Sequence, residues 1–353
     1  MRELAQVAGV SLNAVSLALQ NRPGVSTEVR GRIQELAVRT GYRPDPVISS
    51  LMTRLRVARK SRSLETIAFL SFDKSRKDWA QNTHYYLEGA VRRADELGYR
   101  VDVFVPAEEK LTQSRMARIL VARGIHGIIL PSLPHAMGRV SFDWSRFAIA
   151  RLGYSVVKPE AHRIAHNHHA GMVLALRELK RLGYRRPGFF TLAKQDQRVA
   201  HHWLSAYLMY YHVVFRKAPI PPMFQQAWSK AELSRWFQTN QPDVIVSNMT
   251  HALTMLVERS LSVPGDFVFV NLDLHPHHQR EGMSVIDQNS FEIGAAAVDV
   301  VAAQLSRNEY GLSHNPRTIH LEGTWIPGET VRGMPSHSPR RGRATAKKTS
   351  GQD

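Results

Sequence analysis

The side chains best suited to recognising another molecule lie near the amino end, in a segment of amide, hydroxyl and apolar residues. Asn13 and Gln20 are the candidate base readers, because a side-chain amide can pair with two edge atoms of adenine in the major groove of DNA. Leu12 and Leu17 could make only apolar contacts, for example with a thymine methyl group. The candidate DNA-contacting residues of this segment are Ser11, Leu12, Asn13, Ser16, Leu17, Gln20 and Asn21. The alternative is that they form the ordinary surface of a helical bundle.

A second group of candidates follows short apolar runs in the middle of the chain, where parallel strands would end. These residues are Phe72, Asp73, Trp79, Tyr85, Asn248 and Asp273. Carboxylate groups at strand ends can hold paired hydroxyls, and an aromatic ring can stack on the apolar face of a sugar. The group therefore predicts a binding site for a polyol. The alternatives are structural ion pairs and core aromatic residues.

The 17 histidines raise the question of a metal site or a catalytic site, since they cluster at 166–169, 201–202 and 275–278. The sequence contains no His-Glu-x-x-His, no Gly-x-Ser-x-Gly and no glycine-rich phosphate loop. It also contains no cysteine, which excludes disulfides and thiolate ligands. We therefore expect no enzymatic activity, no cofactor and no metal site. A pH-sensitive or ligand-contacting role for one of these histidines remains open.

The elements that position the amino-terminal candidates are three predicted short helices in residues 1–45. Gly9 ends the first helix, because glycine accepts the left-handed conformation of a tight helix stop. Ser11 is a good N-cap for the second helix, and a third begins at Ser26 and stops at Gly41. This spacing predicts a helix-turn-helix domain whose second helix can enter a DNA major groove.

From residue 64 to about residue 330 the pattern alternates between apolar strands and amphipathic helices, which predicts parallel sheets. The unit helix, Leu-Gly-Tyr, strand occurs twice and suggests two α/β subdomains, about 65–160 and 161–330, with the chain crossing between them more than once. The predicted fold class is thus a small all-α headpiece plus an α/β core of two parallel-sheet subdomains. Ligands of such sheets bind beyond the carboxyl ends of the strands, in a cleft that can close by a hinge motion.

Charge is concentrated at the two ends of the chain, which carries +17 in all. Residues 1–62 carry +7 and residues 332–353 carry +5, as suits a polyanion such as nucleic acid. Residues 46–63 form a predicted hinge helix and basic linker, and residues 331–353 a predicted disordered basic tail. No apolar run reaches the length of a membrane span, so we expect a cytoplasmic protein without a membrane partner.

Several spaced motifs in the first 45 residues point to one family. They are the turn A-x-x-A-G-V-S, the V-S pair opening the third helix and the closing G-Y-x-P. Together they resemble the DNA-binding headpiece of the lactose/galactose repressor (LacI/GalR) family, and the middle region resembles that family's periplasmic-binding-protein-like sensor core. The resemblance implies a homodimeric transcriptional regulator that binds double-stranded operator DNA, commonly as a repressor. It also implies a small-molecule effector, a sugar or derivative, in the cleft.

On the DNA side, the resemblance implies a hinge helix that places Leu51 as a wedge in the minor groove. Arg54 lies in the basic stretch that follows, and an extended hinge helix would let it contact phosphate. The alternatives are that Leu51 packs on its own domain and that the basic stretch is a flexible linker. Leu17 stands where the family usually has a DNA-contacting arginine, so the operator sequence does not carry over.

On the effector side, the resemblance implies that Arg198 and Asp273 match residues that face the cleft in the family. The family often has an Asp-Asn pair where this chain has His166 and Asn167, and this departure leaves the effector class open. A rival hypothesis is a solute-binding or sugar-sensing protein without specific DNA binding. A second rival is a nucleoid-type DNA binder that has no effector.

Overall fold

The computed structural model describes residues 2–19, 24–40, 65–133, 135, 138–250, 254, 268–273 and 282–331. These residues form a helical headpiece and an α/β core of two subdomains, which confirms the predicted fold class. Within them, no helix has both the length and the apolar character that a membrane span needs. The predicted linker and the tail beyond residue 331 lie outside the described residues.

Three helices form the headpiece, namely α1 (Arg2–Ala8), α2 (Leu12–Leu19) and α3 (Thr27–Arg39). Gly9 has a φ of 65°, the left-handed conformation that turns the chain from α1 towards α2. Ser11 caps α2, because its hydroxyl accepts a hydrogen bond from the Ala14 N–H at 3.1 Å. The sequence thus sets the angle between the first two helices through a stop residue and a cap residue.

The headpiece core is small and is closed by α3. Val15, Ala18 and Ile33 are completely buried at its centre. Arg32 donates to the Ala8 carbonyl at 2.9 Å, and Gln34 donates to the Ala18 carbonyl at 3.2 Å. Both acceptors lie at helix carboxyl ends, where backbone carbonyls lack partners within the helix. Helix α3 therefore holds α1 and α2 by packing and by polar contacts.

The strands of the core follow one another along the chain in a regular series. In chain order they are β1 (Glu65–Leu70), β2 (Tyr99–Phe104), β3 (Gly127–Leu130), β4 (Gly138–Arg139), β5 (Ala148–Leu152), β6 (Val156–Lys158), β7 (His162–His166), β8 (Pro187–Leu192), β9 (Met223–Gln225), β10 (Val244–Ser247), β11 (Val268–Asn271), β12 (Ser284–Asp287), β13 (Thr318–Leu321) and β14 (Thr324–Ile326).

The helices of the core cover these strands. They are α4 (Gln81–Glu96), α5 (Gln113–Ala122), α6 (His168–Arg181), α7 (Ala193–Arg198), α8 (His202–Tyr210), α9 (Lys230–Asn240) and α10 (Ser290–Arg307). Short helical turns at Arg76–Asp78, Trp144–Arg146 and Tyr211–Phe215 complete the helical segments of the described core.

The first subdomain contains a six-stranded parallel sheet in the order β13-β7-β5-β3-β1-β2. Side chains alternate between its faces, as the period of a strand requires. Phe69 packs with residues of α4 and α10 on one face, whereas Leu70 packs with residues of α5 on the other. Because helices cover both faces, the central strands β3 and β5 are buried along their whole length.

The second subdomain repeats this arrangement in a sheet of order β14-β12-β11-β10-β8-β9, in which only β14 is antiparallel. Phe189 packs with α6 and α8 on one face, and Phe190 packs with α9 on the other. Strands β4 and β6 pair with each other in a separate two-stranded sheet. In sequence they lie among the strands of the first subdomain.

The chain crosses between the two sheets three times, after β7, after β12 and after β13. Residues 162–166, 290–307 and 318–321 consequently lie in the first subdomain, whereas the sequence prediction assigned them to the second. The repeated Leu-Gly-Tyr unit occurs once in each subdomain, near β2 and near β8. It carried no information on which half later strands would join.

Hydrogen bonds tie the three crossing segments to one another. The Asn167 backbone N–H donates to the Leu321 carbonyl at 2.9 Å, and its side-chain amide donates to the Glu322 carboxylate at 2.9 Å. The Asn289 amide donates to the Glu322 carbonyl at 2.7 Å. The crossings therefore form one connected hinge region between the subdomains.

Helices α4 and α10 approach each other until their backbones touch. A Cβ atom added to Gly89 would lie 1.8 Å from the Phe291 carbonyl oxygen, and one added to Gly294 would lie 1.9 Å from the Tyr86 carbonyl oxygen. Only glycine fits at these two positions, because the obstacle is backbone and not a flexible side chain.

The substitution Gly294→Ala is expected to lower the free energy of unfolding of the core by about 1–3 kcal/mol, the usual cost of forcing extra volume into packed structure. Urea denaturation would measure the loss. Gly31→Ala in α3 is the matched control, since an added Cβ meets nothing within 4 Å there. An unchanged midpoint for Gly294→Ala would contradict the close packing of the two helices.

Candidate functional site

The headpiece presents α2 as its candidate recognition helix. The structure places residues 12, 13 and 16 on this helix, but their side chains, and the whole of Gln20 and Asn21, lie outside what it describes. Leu51 and Arg54 also lie outside the described residues. The Ser11 hydroxyl is occupied by the helix cap. Leu17 is half-buried, with its side chain beside Gly24, so part of it packs within the headpiece.

The second candidate site is a cavity of about 260 Å³ between the subdomains. Its walls come from the loops and helix ends that follow the strands, as expected for parallel α/β sheets. The lining residues are Ala80, Asn82, Thr83, Tyr86, Ser132, Gly153, Tyr154, Ser155, His168, Gln195, Arg198, Val199, Trp203, Asn248, Met249, Asp273 and Gln288. We call this cavity the cleft.

One end of the cleft is acidic. Asp273 follows β11, and its carboxylate accepts a hydrogen bond from the Asn82 amide of the first subdomain at 3.1 Å. Burial raises the pKa of Asp273 to about 6, while the Asn82 hydrogen bond and the Arg198 charge oppose the rise. Burial and the nearby Asp273 carboxylate raise the pKa of Tyr86 to about 12. Near pH 6 this end can therefore gain or lose one negative charge.

Arg198 supplies a positive charge to the same end of the cleft. It is the last residue of α7, and its charge lowers the pKa of both Asp73 and Asp273. Among the described residues, no carboxylate lies within 4.0 Å of its guanidinium. The group is thus available to donate hydrogen bonds to a ligand.

A tight turn after α7 holds the segment that carries Arg198. Ala200 and His201 both have positive φ values, of 53° and 60°, which non-glycine residues rarely adopt. The His201 ring bonds to the buried Asp196 carboxylate at 2.6 Å, and the His201 N–H donates to the Asp196 carbonyl at 2.8 Å. These two contacts stabilise the turn in its unusual conformation.

The other end of the cleft is aromatic and imidazole-rich. The buried His168 ring meets Trp203 edge to face at 5.2 Å between centroids, and Tyr154 lies 5.9 Å from His168. Tyr154 also contacts His202 at 4.6 Å. Such a wall can stack against an apolar ligand face.

The structure brings three of the nine predicted effector residues to the cleft, namely Arg198, Asn248 and Asp273. Asn248 is held by the Thr191 hydroxyl, which donates to its amide oxygen at 2.7 Å. The other six, which do not line the cleft, are Phe72, Asp73, Trp79, Tyr85, His166 and Asn167.

Each of these six has another place in the fold. Trp79 is buried against Phe69, and its indole N–H donates to Ser71, whose hydroxyl donates in turn to Asp73 at 2.7 Å. Burial raises the pKa of Asp73, and the Ser71 bond opposes the rise. Phe72 packs on Phe142.

Of the remaining three, Asn167 caps α6 through its side-chain oxygen, which accepts from the Ala170 N–H at 3.0 Å. His166 is buried behind His168, with the rings 4.9 Å apart. Tyr85 is half-buried on α4, while its neighbour Tyr86 faces the cleft. On α4 the prediction named Tyr85, whereas Tyr86 is the tyrosine that lines the cleft.

Sequence reasoning missed most of the cleft wall, including Asn82, Tyr154, His168 and Trp203. Tyr154 had a usable signal, because it follows the apolar run of β5 as Asp73 follows that of β1. The described residues contain no group of three histidine or acidic side chains that could hold a metal ion.

Comparison with solved structures shows which fold the core adopts. The CelR transcriptional regulator in complex with cellobiose is 16% identical, with a TM-score of 0.59 over 93% of this chain and 98% of that one. The lac repressor dimer bound to operator and the anti-inducer ONPF is 17% identical, with a TM-score of 0.56 over 93% and 97%. A LacI transcriptional regulator from Rhodococcus species is 18% identical, with a TM-score of 0.57 over 77% and 99%.

Residues 1–45 match the family model described as bacterial regulatory proteins, lacI family. The headpiece thus carries the sequence pattern of that family. The resemblance of the headpiece to that family, seen in the sequence, is thereby confirmed. The solved structures named above are two transcriptional regulators and a repressor. No curated protein matches the sequence of the chain.

The substitution Asp273→Asn is expected to stabilise the protein above pH 6 and to change little at acid pH. A carboxyl whose pKa rises on folding to about 6 loses stability as pH increases from about 4 through 6, and asparagine removes that loss. The gain should be about 1–3 kcal/mol at pH 7.5, at about 1.4 kcal/mol for each unit of pKa.

Urea denaturation at pH 4 and pH 7.5 would measure this difference. Asp95→Asn, at an exposed position on α4, is the control and should show no pH-dependent gain. Equal gains for Asp273→Asn at both pH values would show that Asp273 does not titrate as described.

Proposed function

We propose that the protein is a homodimeric transcriptional regulator, with repression as its output, whose affinity for operator DNA is set by a small hydroxylated molecule in the cleft. The observation that carries the proposal is the combination of a lacI-family headpiece at residues 1–45 with a two-subdomain core that encloses a polar cavity. The charge of +7 on residues 1–62 supports binding to a polyanion. The dimeric state follows the lac repressor, whose structure is a dimer on its operator.

DNA recognition in this proposal uses α2 as the helix that enters the major groove. Asn13 reads a base edge, and the apolar residues of α2 contact methyl groups. Leu51 and Arg54 act in the minor groove and on phosphate, respectively. Two headpieces from a dimer would read a palindrome of two half-sites.

Effector recognition uses groups from both subdomains. Asn82 and Tyr86 come from the first subdomain, while Arg198, Trp203 and Asp273 come from the second. Asp273 accepts from ligand hydroxyls, Arg198 donates, and the aromatic wall stacks on an apolar face. The class of ligand matches cellobiose, a sugar, which is bound by the structural neighbour CelR.

Control of DNA binding follows from the position of the ligand between two bodies. A molecule that contacts both walls favours closure and changes how the first subdomains of two protomers meet. Effector and DNA then influence each other's affinity by the same factor, since the coupling is a free energy shared by both sites. In the rival function, that of a solute-binding protein, this coupling is absent. That function predicts that the chain shows no sequence-specific binding to DNA.

Selection of bound sequences from a random DNA pool by the purified chain is expected to yield a palindrome of two half-sites. Asn13→Ala should change the base preference within each half-site and weaken binding by about 10- to 100-fold, the effect of losing one bidentate base contact. Leu51→Ala should weaken binding without changing that preference.

Val38→Ala, at an exposed position on α3, is the control for the headpiece and should bind as the unmodified chain does. Binding should weaken steeply with salt, because basic residues release counterions from DNA. Recovery of no motif at any salt concentration would exclude specific DNA recognition.

A thermal-shift screen of neutral sugars, sugar acids and sugar phosphates is expected to identify an effector that stabilises the chain. A ligand at 100 times its Kd adds about 2.7 kcal/mol to the free energy of unfolding. Arg198→Gln should weaken that binding by about 10- to 100-fold, as a lost charged hydrogen bond does. Lys194→Gln, which removes an exposed charge from the same helix, is the control. Equal affinities in the two variants would place the ligand away from Arg198.

A further inference from the structure

Four histidines and one tyrosine gather where the subdomains meet at the hinge. We call His166, His168, His202, His320 and Tyr154 the histidine cluster. Tyr154 and His320 belong to the first subdomain, and His166 ends its strand β7. His168 and His202 begin α6 and α8 of the second subdomain. The cluster thus contains side chains from both subdomains.

Tyr154 is the side chain that joins the two sides. Its hydroxyl bonds to the His320 ring within the first subdomain. Its own ring then meets His202 edge to face at 4.6 Å and His168 at 5.9 Å, both across the subdomain boundary. Because these contacts cross the boundary, a hinge opening of the cleft would separate the rings.

No carboxylate is in contact with the histidine rings of the cluster in the described structure, although several charged groups face it. Arg163 of β7 lies over the Tyr154 ring at 4.6 Å. His169 of α6 and Arg163 both disfavour a positive charge on His202, and only Asp196 of α7 favours one. At the hinge, Glu322 is already bonded to the Asn167 amide. A proton gained by the cluster would therefore meet mostly repulsive charge.

Burial also disfavours a positive charge on these histidines. Burial lowers the pKa of His166 to about 4, which the Leu321 backbone opposes and His320 reinforces. Burial, together with His166, His202 and His320, also lowers the pKa of His168 well below its ordinary value. The pKa of His202 is lowered mainly by burial. Among the described residues, the Nδ1 atoms of His168 and His202 are buried without a hydrogen-bond partner.

We propose that the histidine cluster makes subdomain closure dependent on protons, so that the cleft is closed near neutral pH and opens in mild acid. The closed state buries neutral imidazoles, whereas the open state exposes His168 and His202 to water, where they bind protons readily. The link from closure to DNA affinity rests on the proposed function, but the closure itself does not.

The direction in which closure responds to pH follows from the direction of the pKa changes. A histidine whose pKa is lower in the closed state binds fewer protons there, so closure is favoured above the ordinary pKa and loses favour as pH falls. The response therefore begins as pH falls through about 6.5, the ordinary histidine pKa, and continues below it. The group that titrates at the acidic end of the cleft, Asp273, responds oppositely, since protonation removes its buried charge.

Energy transfer between two dyes would measure closure directly, in the full chain and without any ligand. The chain has no cysteine, so Arg118→Cys on α5 and Thr239→Cys on α9 would supply two exposed labelling sites, one on each subdomain. Labelled chains would be mixed with excess unlabelled chains, so that any assembly holds one labelled copy. Transfer efficiency is expected to fall between pH 7.5 and pH 5, within the range where the far-ultraviolet circular dichroism is unchanged.

The double variant His168→Gln, His202→Gln is expected to remove most of this pH dependence, because glutamine does not titrate. If that variant does not fold at pH 7.5, His202→Gln alone should still reduce the response, since His202 is only half-buried. His212→Gln, at an exposed position outside the cluster, should respond as the unmodified chain does.

A transfer efficiency that stays constant from pH 7.5 to pH 5 would overturn the proposal, as would equal responses in the unmodified chain and the cluster variants. Loss of response in His212→Gln would also overturn it, because the effect would then lie outside the cluster. A chain that closes with pH but selects no DNA motif would contradict the proposed function and leave the proton-linked closure supported. A chain that selects a DNA motif but whose transfer efficiency does not change with pH would contradict only the proton linkage.

Discussion

Two glycines bring the backbone of α10 against that of α4, and the geometry of the cleft depends on this contact. Helix α10 enters the first subdomain directly from the crossing that carries Gln288 and Asn289, while the first turns of α4 carry Asn82, Thr83 and Tyr86. Because Gly89 and Gly294 leave no side chain between the helices, the crossing and the cleft wall keep a fixed spacing.

The cleft divides its chemistry between two ends. At one end a carboxyl with a pKa of about 6, held by Asn82, lies within the field of Arg198. At the other end neutral imidazoles surround Tyr154. A change in pH acts on these ends in opposite directions, since acid removes a buried charge from one and adds charges to the other. A single ligand that spans the cleft would interact with the groups at both ends.

How far sequence alone predicts this protein depends on the range of each interaction. Gly9 and Ser11 act locally, so the helix-turn-helix could be predicted, and strand alternation predicted both sheets. Asp273, Asn248 and Arg198 were located because strand ends and a family motif mark them. Tyr86 could not be separated from Tyr85, since neighbouring helix positions differ only in the direction that packing gives them. The assignment of β7, α10 and β13 to the first subdomain depends on contacts between distant residues, which periodicity does not encode.

The three crossings also set the order in which the chain can fold during synthesis. The first sheet needs α10 to cover one face and β13 to pair with β7, and both are made after every strand of the second sheet except β14. A nascent chain that has reached residue 289 therefore exposes the apolar side of the first sheet that α10 later covers. On the ribosome, the second subdomain can bury most of its core before the first subdomain is complete. Chaperone binding during translation would be expected on the earlier-synthesised half.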